Sequence, residues 1–411
     1  MPNYRMQVLP DFASLTDQQA QAWDRLWAQS PEPTPFTHRL FLSALERSGS
    51  AVAKTGWQAH PSLLIDQDDT VVAAVPLYAK SHSYGEYVFD WAWAQAYEQT
   101  GRAYFPKWLI ASPFSPVPGS RLLGQDAQAR QALAERLTEL AQSSGLSSMH
   151  GLFGTDQDHQ ALGRSGWLTR QGVQFHWHNR GYASFDDFCQ TLTQPRRKKI
   201  RAERRKVEQA GIRTQVLTAH QISDAHWRFF YDCYESTYLA HGNPPYLTPA
   251  FFQEVAKTMP WAWVMAVGTD TQDQLVGAAL LAHQPDRSQL AIALGDGTRS
   301  NDSAWNFKGG TLYGRYWGSL RSIDCLHFEL AYYTPMAWAI EQGIARFEGG
   351  AQGEHKVWRG FEPVTTQSSH WLAEKQFESA VAKFLEREKQ GLSGYLSELS
   401  DRQPYRNSAN D

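Results

Sequence analysis

The stretch LHFELAYYTPMAWAIEQGIARFEGGAQGEHKVWRGF, residues 326–361, organises the rest of the chain. In its first six residues, leucine and phenylalanine alternate with other side chains, and this period of two predicts a β-strand. The strand would place the imidazole of His327 and the carboxylate of Glu329 on one face. Charge in the middle of a strand is unusual, so this face is a candidate site.

A helix and a second strand are predicted to follow. Thr334 and Pro335 are typical of a helix start, and Gly343 is typical of a helix end. Residues 344–348 then predict a return strand. A strand, a helix and a strand form a right-handed parallel unit, and ligands bind at the carboxyl ends of such strands. The glycine-rich loop at 349–360 lies at that end.

Several short motifs combine aromatic, glycine and charged residues: Glu329, Tyr332-Tyr333, EGGAQGEHK at 348–356, Arg359-Gly360-Phe361, His370-Trp371, RRKKIRAERRKV at 196–207, HGNPPYLT at 241–248 and LYGRYWG at 312–318. Together they span about half of the chain. These motifs resemble those of the FemAB-like proteins, relatives of the Fem peptidoglycan aminoacyltransferases.

The resemblance implies an α/β (α+β) fold of tandem acetyltransferase-like (GNAT, acyl-CoA N-acyltransferase) domains, with mixed sheets flanked by helices. The length of 411 residues agrees with two or three domains. We place the first domain at residues 1–180 and the second at 181–395, with a basic helix at 195–210. The polar tail, residues 396–411, is predicted to be disordered.

Four residues are candidate catalytic groups: Glu329, Lys356, His355 and His327. Partial burial of Glu329 would raise its pKa towards that of a useful base for a substrate ammonium. Lys356 matches the lysine that the Fem relatives carry after their glycine-rich loop, and it is suited to hold an oxyanion or a donor carboxylate. His355 is an alternative for that role. The alternative for Glu329 is an ion pair with Lys356 or with Arg359.

The run from Arg196 to Lys206 holds eight basic residues and one acidic residue, although the net charge of the chain is -3. Its charges cover every face of the predicted helix, so we expect no buried face. Arg197, Lys198, Arg201 and Arg205 form one ridge. The resemblance implies that this ridge binds a phosphate-bearing substrate. A solvated helix is the alternative, and nucleic acid fits the same charge.

Other candidate substrate-binding residues lie in the matched motifs. Tyr246 is in a proline-rich loop that either positions a substrate or is a plain turn. Glycines at 310, 314 and 318 predict a helix with a face approached closely by the sheet or by a ligand. The remaining candidates are Arg315, Tyr316, Trp317, Tyr332, Tyr333, Gln352 and Arg359.

Composition and missing motifs exclude several classes of protein. Three scattered cysteines support neither a disulfide framework nor a zinc site. His176 and His178 share a strand face, but with no third ligand nearby a hydrogen-bonded pair is favoured over a metal site. The chain has no apolar run of signal-peptide or transmembrane type, so we expect a cytoplasmic location. It also lacks the motifs of nucleotide hydrolysis, dinucleotide binding, serine hydrolysis and zinc hydrolysis.

The function that fits best is transfer of an acyl or aminoacyl group to an amine of an anionic acceptor, such as a small molecule or a cell-wall precursor. Acyl-CoA or aminoacyl-tRNA would be the co-substrate, and we expect no permanently bound cofactor. Residues 112–123 occupy the place of a GNAT pyrophosphate loop, but prolines there have no amide to donate, which favours a remnant.

Two alternatives stay open. One is a non-catalytic module that binds a cell-wall fragment or nucleic acid. The other is an acyl-CoA-dependent N-acetyltransferase. Peripheral association with a membrane surface is compatible with each.

Overall fold

The computed structural model describes residues 4–290, 306–350 and 353–406. The chain forms two compact units: Met1–Gly172 with Thr365–Tyr395, and Val173–Val364 with Leu396–Asp411. The sequence predicts two consecutive domains that meet near residue 180. In the structure both units are discontinuous, because the chain returns to the first unit at Thr365 and to the second unit at Leu396.

The first unit contains a five-stranded sheet of order β2-β5-β6-β8-β15 and a four-stranded sheet of order β1-β3-β4-β7. Strands β6 and β8 run parallel, and a helix crosses between them. A capping box formed by Thr16 and Gln19 begins the first helix, as the sequence predicts. The elements are β1 Arg5–Val8, α1 Asp17–Gln29, α2 Arg39–Arg47, β2 Trp57–Ala59, β3 Ser62–Ile65, β4 Val71–Val75, β5 Leu77–Lys80, α3 Trp91–Glu98, β6 Lys107–Ile110, β7 Leu123–Gly124, α4 Ala127–Ser143, β8 Ser148–Leu152, α5 Asp156–Arg164, β15 Glu362–Leu372 and α11 Lys375–Asp401.

The second unit contains a sheet of order β10-β11-β12-β13-β14-β9. Strands β10 to β13 form an antiparallel meander, and β13 pairs in parallel with β14 across the helix α10. Its elements are β9 Leu168–His178, α6 Phe185–Gln190, α7 Gln194–Gln209, β10 Arg213–Thr218, α8 Asp224–Ala240, α9 Pro249–Thr258, β11 Trp263–Thr269, β12 Leu275–Gln284, β13 Thr311–Ser319, α10 at residues 326–341, β14 Arg346–Glu348 and a 3-10 helix Glu354–Arg359. Each unit therefore ends its meander in a parallel strand, helix and strand.

The predicted strand at 326–331 is wrong, because these residues begin α10. Leu326 and Leu330 are four residues apart and both are buried, so the short alternation also fits a helical face. The helix does not start at Thr334 either. A π-helical turn, Glu329–Tyr333, precedes Pro335, and the Thr334 amide donates to the Glu329 carbonyl five residues back. This wider turn accommodates a proline, which has no amide to donate.

The predicted helix carrying Gly310, Gly314 and Gly318 is also wrong, because β13 covers most of this segment. The close approach predicted for these glycines does exist. A Cβ on Gly318 would lie 2.2 Å from the Cys233 carbonyl oxygen of α8, and a Cβ on Gly314 would lie 3.3 Å from Phe347 of β14. The glycines let a helix and a neighbouring strand approach the backbone of β13.

Two other predictions, on the basic helix and on the tail, need correction. The basic helix α7 has a buried face after all, formed by Ile200, Glu203 and Val207 at helical spacing. The tail is ordered up to residue 406: α11 continues to Asp401, and the Tyr405 hydroxyl donates to the Gly360 carbonyl at 2.6 Å. A strand predicted at 289–295 lies largely outside the described residues.

A charged cluster is buried in the first unit. The Lys107 ammonium is fully buried and donates to Glu86 at 2.9 Å and to Asp90 at 2.5 Å. Although burial alone lowers the pKa of Lys107, the two carboxylates outweigh it and raise the pKa. Asp90 also accepts a hydrogen bond from the Tyr104 hydroxyl at 2.8 Å, and this hydroxyl contacts the His150 imidazole. The lysine therefore neutralises carboxylates that water does not reach.

We expect Lys107→Met to destabilise the first unit by about 3–5 kcal/mol, since it leaves two buried carboxylates without their cation. Urea unfolding followed by circular dichroism measures the change. Lys54→Met removes an exposed lysine of the same unit and is the matched control. Equal unfolding midpoints for the two variants would contradict the prediction.

Candidate functional site

A cavity of about 180 Å³ lies in the second unit, at the carboxyl end of β14. The sheet strands β12 and β13 and the helix α10 line it, together with Gly349, Gly350 and Lys356. The lining residues include six of the predicted site residues, which are Arg315, Tyr316, Trp317, His327, Tyr332 and Lys356.

The sheet opens at this point for two local reasons. The register between β12 and β13 shifts between Leu280 and Leu281, as at a β-bulge. On the other side, β14 ends at Glu348, so β13 loses its parallel partner after Tyr313. Strand β13 therefore continues past β14 while it stays paired with β12, and the cavity lies beside this unpaired edge.

Lys356 is the buried cation of the cavity. Only 3% of the residue is exposed, and burial lowers the pKa of its ammonium to about 8. Its Nζ atom donates to the Gly350 carbonyl at 2.9 Å. Gly353 precedes the 3-10 helix with a φ of 110°, and Gly360 ends it in the left-handed region. These glycine conformations direct the short helix, and with it Lys356, towards the cavity.

Two histidines and a tyrosine lie beside Lys356. The Tyr332 hydroxyl is 3.2 Å from His355 Nε2, and burial raises the pKa of Tyr332 to about 12, so it stays protonated. Burial lowers the pKa of His327 to about 4 and also lowers that of His355, so both imidazoles are neutral near pH 7. The His327 ring stacks on Trp317 with centroids 4.5 Å apart. The cavity thus offers a cation, a hydroxyl donor and the neutral imidazole of His327, and Tyr332 connects it to the neutral imidazole of His355.

Glu329 does not line this cavity. It lies on another side of α10, where its carboxylate forms an ion pair with the Arg204 guanidinium at 3.1 Å and accepts a hydrogen bond from the Thr334 hydroxyl at 2.9 Å. Its ion-pair partner is therefore neither of the two predicted ones. Glu329 is at one wall of a separate depression of about 470 Å³ that is also lined by Arg201 and Arg205. Its assignment as a base stays a prediction.

Arg359 and Tyr333 belong to a buried network. The Arg359 guanidinium donates to Glu203 at 3.0 Å, to the Tyr333 hydroxyl at 2.8 Å and to the His355 carbonyl at 2.9 Å. It also lies 3.6 Å from the centre of the Phe328 ring. Tyr333 in turn donates to Glu203. The network joins α7, α10 and the 3-10 helix, and these two predicted binding residues face each other.

Comparison with known proteins identifies the family of the chain. A model of the FemAB-like family, described as peptidoglycan biosynthesis/recognition, matches residues 14–407. The chain belongs to the FemAB-like family. No curated protein sequence matches this FemAB-like chain.

Solved structures resemble the FemAB-like chain at low sequence identity. The crystal structure of FemX is 12% identical with a TM-score of 0.51, and the match covers 88% of this chain and 98% of FemX. L-PGS from Bacillus licheniformis is 12% identical with a TM-score of 0.47, covering 87% and 98%. N-myristoyltransferase from Saccharomyces cerevisiae is 10% identical with a TM-score of 0.44, covering 90% and 79%.

The likeness to FemX establishes the fold, so the predicted fold class of GNAT-like domains with mixed sheets and flanking helices is confirmed. Family and fold together class the protein as an enzyme of the acyltransferase type. They do not specify the group transferred or its acceptor.

Three other predicted binding residues of the FemAB-like protein, Arg197, Lys198 and Tyr246, lie outside the cavity. Arg197 donates to the carbonyls of Gln190 and Leu192 near the end of α6. Lys198 is exposed on α7. Tyr246 packs against Tyr238 with ring centroids 5.7 Å apart. Gln352 is outside the described residues.

The His176 and His178 side chains share a face of β9, as predicted. His176 is buried 3.7 Å from Glu348, and burial, with the nearby Arg346 cation, lowers the pKa of His176 to about 3. Across residues 4–290, 306–350 and 353–406, no cluster of three or more His, Cys, Asp or Glu side chains is placed to hold a metal ion.

In the loop at 112–123 of the first unit, backbone amides that could bind an anion already donate to a carboxylate of the same chain. The backbone amides of Arg121 and Leu122 donate to the Asp158 carboxylate at 2.9 and 3.3 Å. An anion at these amides would compete with a buried carboxylate of the same chain.

In the part of the chain that is described, no helix has the length and apolar content needed to cross a bilayer.

Sequence reasoning missed two residues that organise the site. Glu203 is the single acid in the basic run, and that exception is the signal that one helix face is buried. Arg204, the partner of Glu329, carries no such signal among seven other basic residues. Only the packing of α7 against α10 shows its role.

Proposed function

We propose that the cavity around Lys356 transfers a short acyl or aminoacyl group to an amine of an anionic acceptor, such as a cell-wall precursor. The observation that carries this proposal is a lysine kept almost fully buried at a cavity, beside a protonated tyrosine and neutral imidazoles. Burying an ammonium is costly, and buried ionisable groups with shifted pKa values are concentrated at functional sites.

The transfer is a nucleophilic substitution at the donor carbonyl. The amine nitrogen attacks the carbonyl carbon, a carbon–nitrogen bond forms, and negative charge develops on the carbonyl oxygen. The Lys356 ammonium stabilises that charge in a site with little water. The carbon–oxygen bond of an aminoacyl ester, or the carbon–sulfur bond of a thioester, then breaks, and the leaving group takes up a proton.

The amine must also lose a proton, and His355 is the group best placed to accept it. Its imidazole is neutral near pH 7, and Tyr332 links it to the cavity by a 3.2 Å contact. Tyr332 can pass a proton to His355 while remaining a hydroxyl overall. Glu329, in contrast, is already engaged by Arg204 and lies at another depression.

The size of the cavity limits the transferred group. Its volume of about 180 Å³ is smaller than the roughly 300–1,000 Å³ of pockets that enclose drug-sized ligands. A short group such as an acetyl or a small aminoacyl group fits this space better than a long fatty acyl chain. Both aminoacyl-tRNA and acyl-CoA carry phosphates, for which the exposed cations of α7 are a suitable surface.

Lys356→Met is the direct test of the proposal. We expect turnover to fall by about 10²-fold or more with little loss of stability, because the oxyanion loses its cation. The measurement is transfer of a labelled group from aminoacyl-tRNA and from acyl-CoA to an amine acceptor. Lys308→Met, which removes an exposed lysine of the same unit, is the control. Unchanged turnover in Lys356→Met would refute the role.

The pH dependence of turnover provides an independent test of the same lysine. Because its pKa is lowered to about 8, Lys356 is charged below that pH and loses its charge above it. Turnover should therefore decline as the pH rises through about 8. In Lys356→Arg the guanidinium stays charged, so any remaining activity should lack this basic limb. A limb that persists in the arginine variant would belong to another group.

The identity of the base is tested by comparing two variants. We expect His355→Gln to lower turnover by about 10²-fold or more. Glu329→Gln should act mainly on stability, through its lost pairing with Arg204, and lower turnover by less than about tenfold. Steady-state kinetics and thermal unfolding of both variants distinguish His355 from Glu329 as the base. The reverse pattern would assign the base to Glu329.

The exposed cations of α7 are tested by charge reversal. We expect Arg201→Glu with Arg205→Glu to weaken binding of tRNA or coenzyme A and to flatten its dependence on salt, because fewer counterions are released. Fluorescence anisotropy over a range of salt concentrations measures both effects. Lys383→Glu with Arg387→Glu reverses two exposed charges on α11 and is the matched control. Similar behaviour of the two double variants would exclude a specific site on α7.

A further inference from the structure

A groove of about 670 Å³ lies in the second unit between α8, α9 and the turn that precedes α8. It is separate from the cavity around Lys356, and no residue lines both. None of its residues is a predicted site residue. Its volume is within the range of pockets that enclose small-molecule ligands.

The floor of the groove is aromatic. The rings of Trp227 and Phe252 stack with centroids 6.2 Å apart, and both residues are buried. The half-buried Tyr231 packs edge-on against Phe252 at 6.0 Å. A floor of this kind offers flat apolar surface to a ligand with a flat apolar face.

The rim of the groove carries equal numbers of exposed positive and negative side chains. Asp224, Arg228 and Asp232 follow one another at intervals of four residues along α8, so they form one ridge. Lys257 of α9 is on the opposite side. Two carboxylates and two cations give this rim no net charge. It therefore differs from the surface of α7, where cations dominate.

The turn that closes the groove is strained. Ala219 has a φ of 45°, in the left-handed region that is unfavourable for a residue with a Cβ atom. Such outliers persist where the surrounding structure fixes them, and they are common at ligand sites. Ala219 and the adjacent His220 both line the groove.

We propose that this groove binds a neutral saccharide. The apolar face of a pyranose ring matches the aromatic floor, and its hydroxyl groups match a rim that both donates and accepts hydrogen bonds. Carboxylates accept from sugar hydroxyls, while arginine, lysine and glutamine side chains donate to them. A rim without net charge favours neither an anionic nor a cationic ligand.

The groove is connected to the cavity through α8. Another face of this helix contacts β13, where the Tyr234 ring lies 5.1 Å from Tyr316 and the Thr237 hydroxyl donates to the Trp317 carbonyl. Tyr316 and Trp317 both line the cavity around Lys356. The inference rests on the proposed function in one respect, namely that the saccharide is the glycan part of a cell-wall acceptor.

The test is binding of N,N′-diacetylchitobiose to the full chain, measured by isothermal titration calorimetry and saturation-transfer difference NMR. We expect binding by the unaltered protein and at least about tenfold weaker binding by the Arg228→Ala, Tyr231→Ala double variant. Ser236→Ala, at an exposed position of α8 outside the groove, should bind as the unaltered protein does. Asp232→Asn is a milder second variant should the double variant fail to fold, and it should also bind more weakly.

Several results would overturn the inference. These are no binding of the disaccharide at millimolar concentration, equal binding by the rim variants, or displacement of the disaccharide by a sugar-free peptide that occupies the groove instead. Lys356→Met separates this inference from the proposed function. If that variant loses transfer but still binds the disaccharide, both hold. If it retains transfer, the proposed function fails while the saccharide site stands.

Discussion

The buried ion pair between Arg359 and Glu203 is the interaction on which the site depends. It links the 3-10 helix that carries Lys356 to the basic helix α7, and the Tyr333 hydroxyl ties α10 to the same pair. Removing either charge would leave the other buried without a partner, which costs several kcal/mol. Because these three elements are held together, Lys356 of the 3-10 helix and Tyr332 of α10 line one cavity although they come from separate segments, and His355 contacts Tyr332.

Two of the buried lysines, Lys107 and Lys356, show how the environment decides between structure and chemistry. Lys107 is fully buried, but Glu86 and Asp90 accept hydrogen bonds from it, and its pKa is raised. Burial lowers the pKa of Lys356, whose Nζ atom donates to a backbone carbonyl. A lysine stabilised by carboxylates has its charge compensated already. A buried lysine with a lowered pKa is less stabilised in its charged form, so its interaction with a developing oxyanion is more favourable.

The parallel unit at 311–348 shows how far sequence patterns reach. The sequence correctly predicts a crossover helix and a return strand. It misassigns the first strand by one element, because six alternating residues at 326–331 fit a strand while Leu326 and Leu330 equally fit a helix. The glycines at 314 and 318 correctly signal close approach. They do not show which element approaches, since that depends on how α8 and β14 pack.

By itself, the sequence determined the fold class, the family, the basic helix and the loop that carries Lys356, because motifs, caps and charge runs are local properties. The tertiary structure alone decided which of those residues share a cavity. Glu329 and His327 are two residues apart, yet a π-helical turn begins at Glu329, and the two line different depressions. Arg359 and Glu203 are 156 residues apart, yet they are paired. Such distances follow from packing and burial, which no local pattern contains.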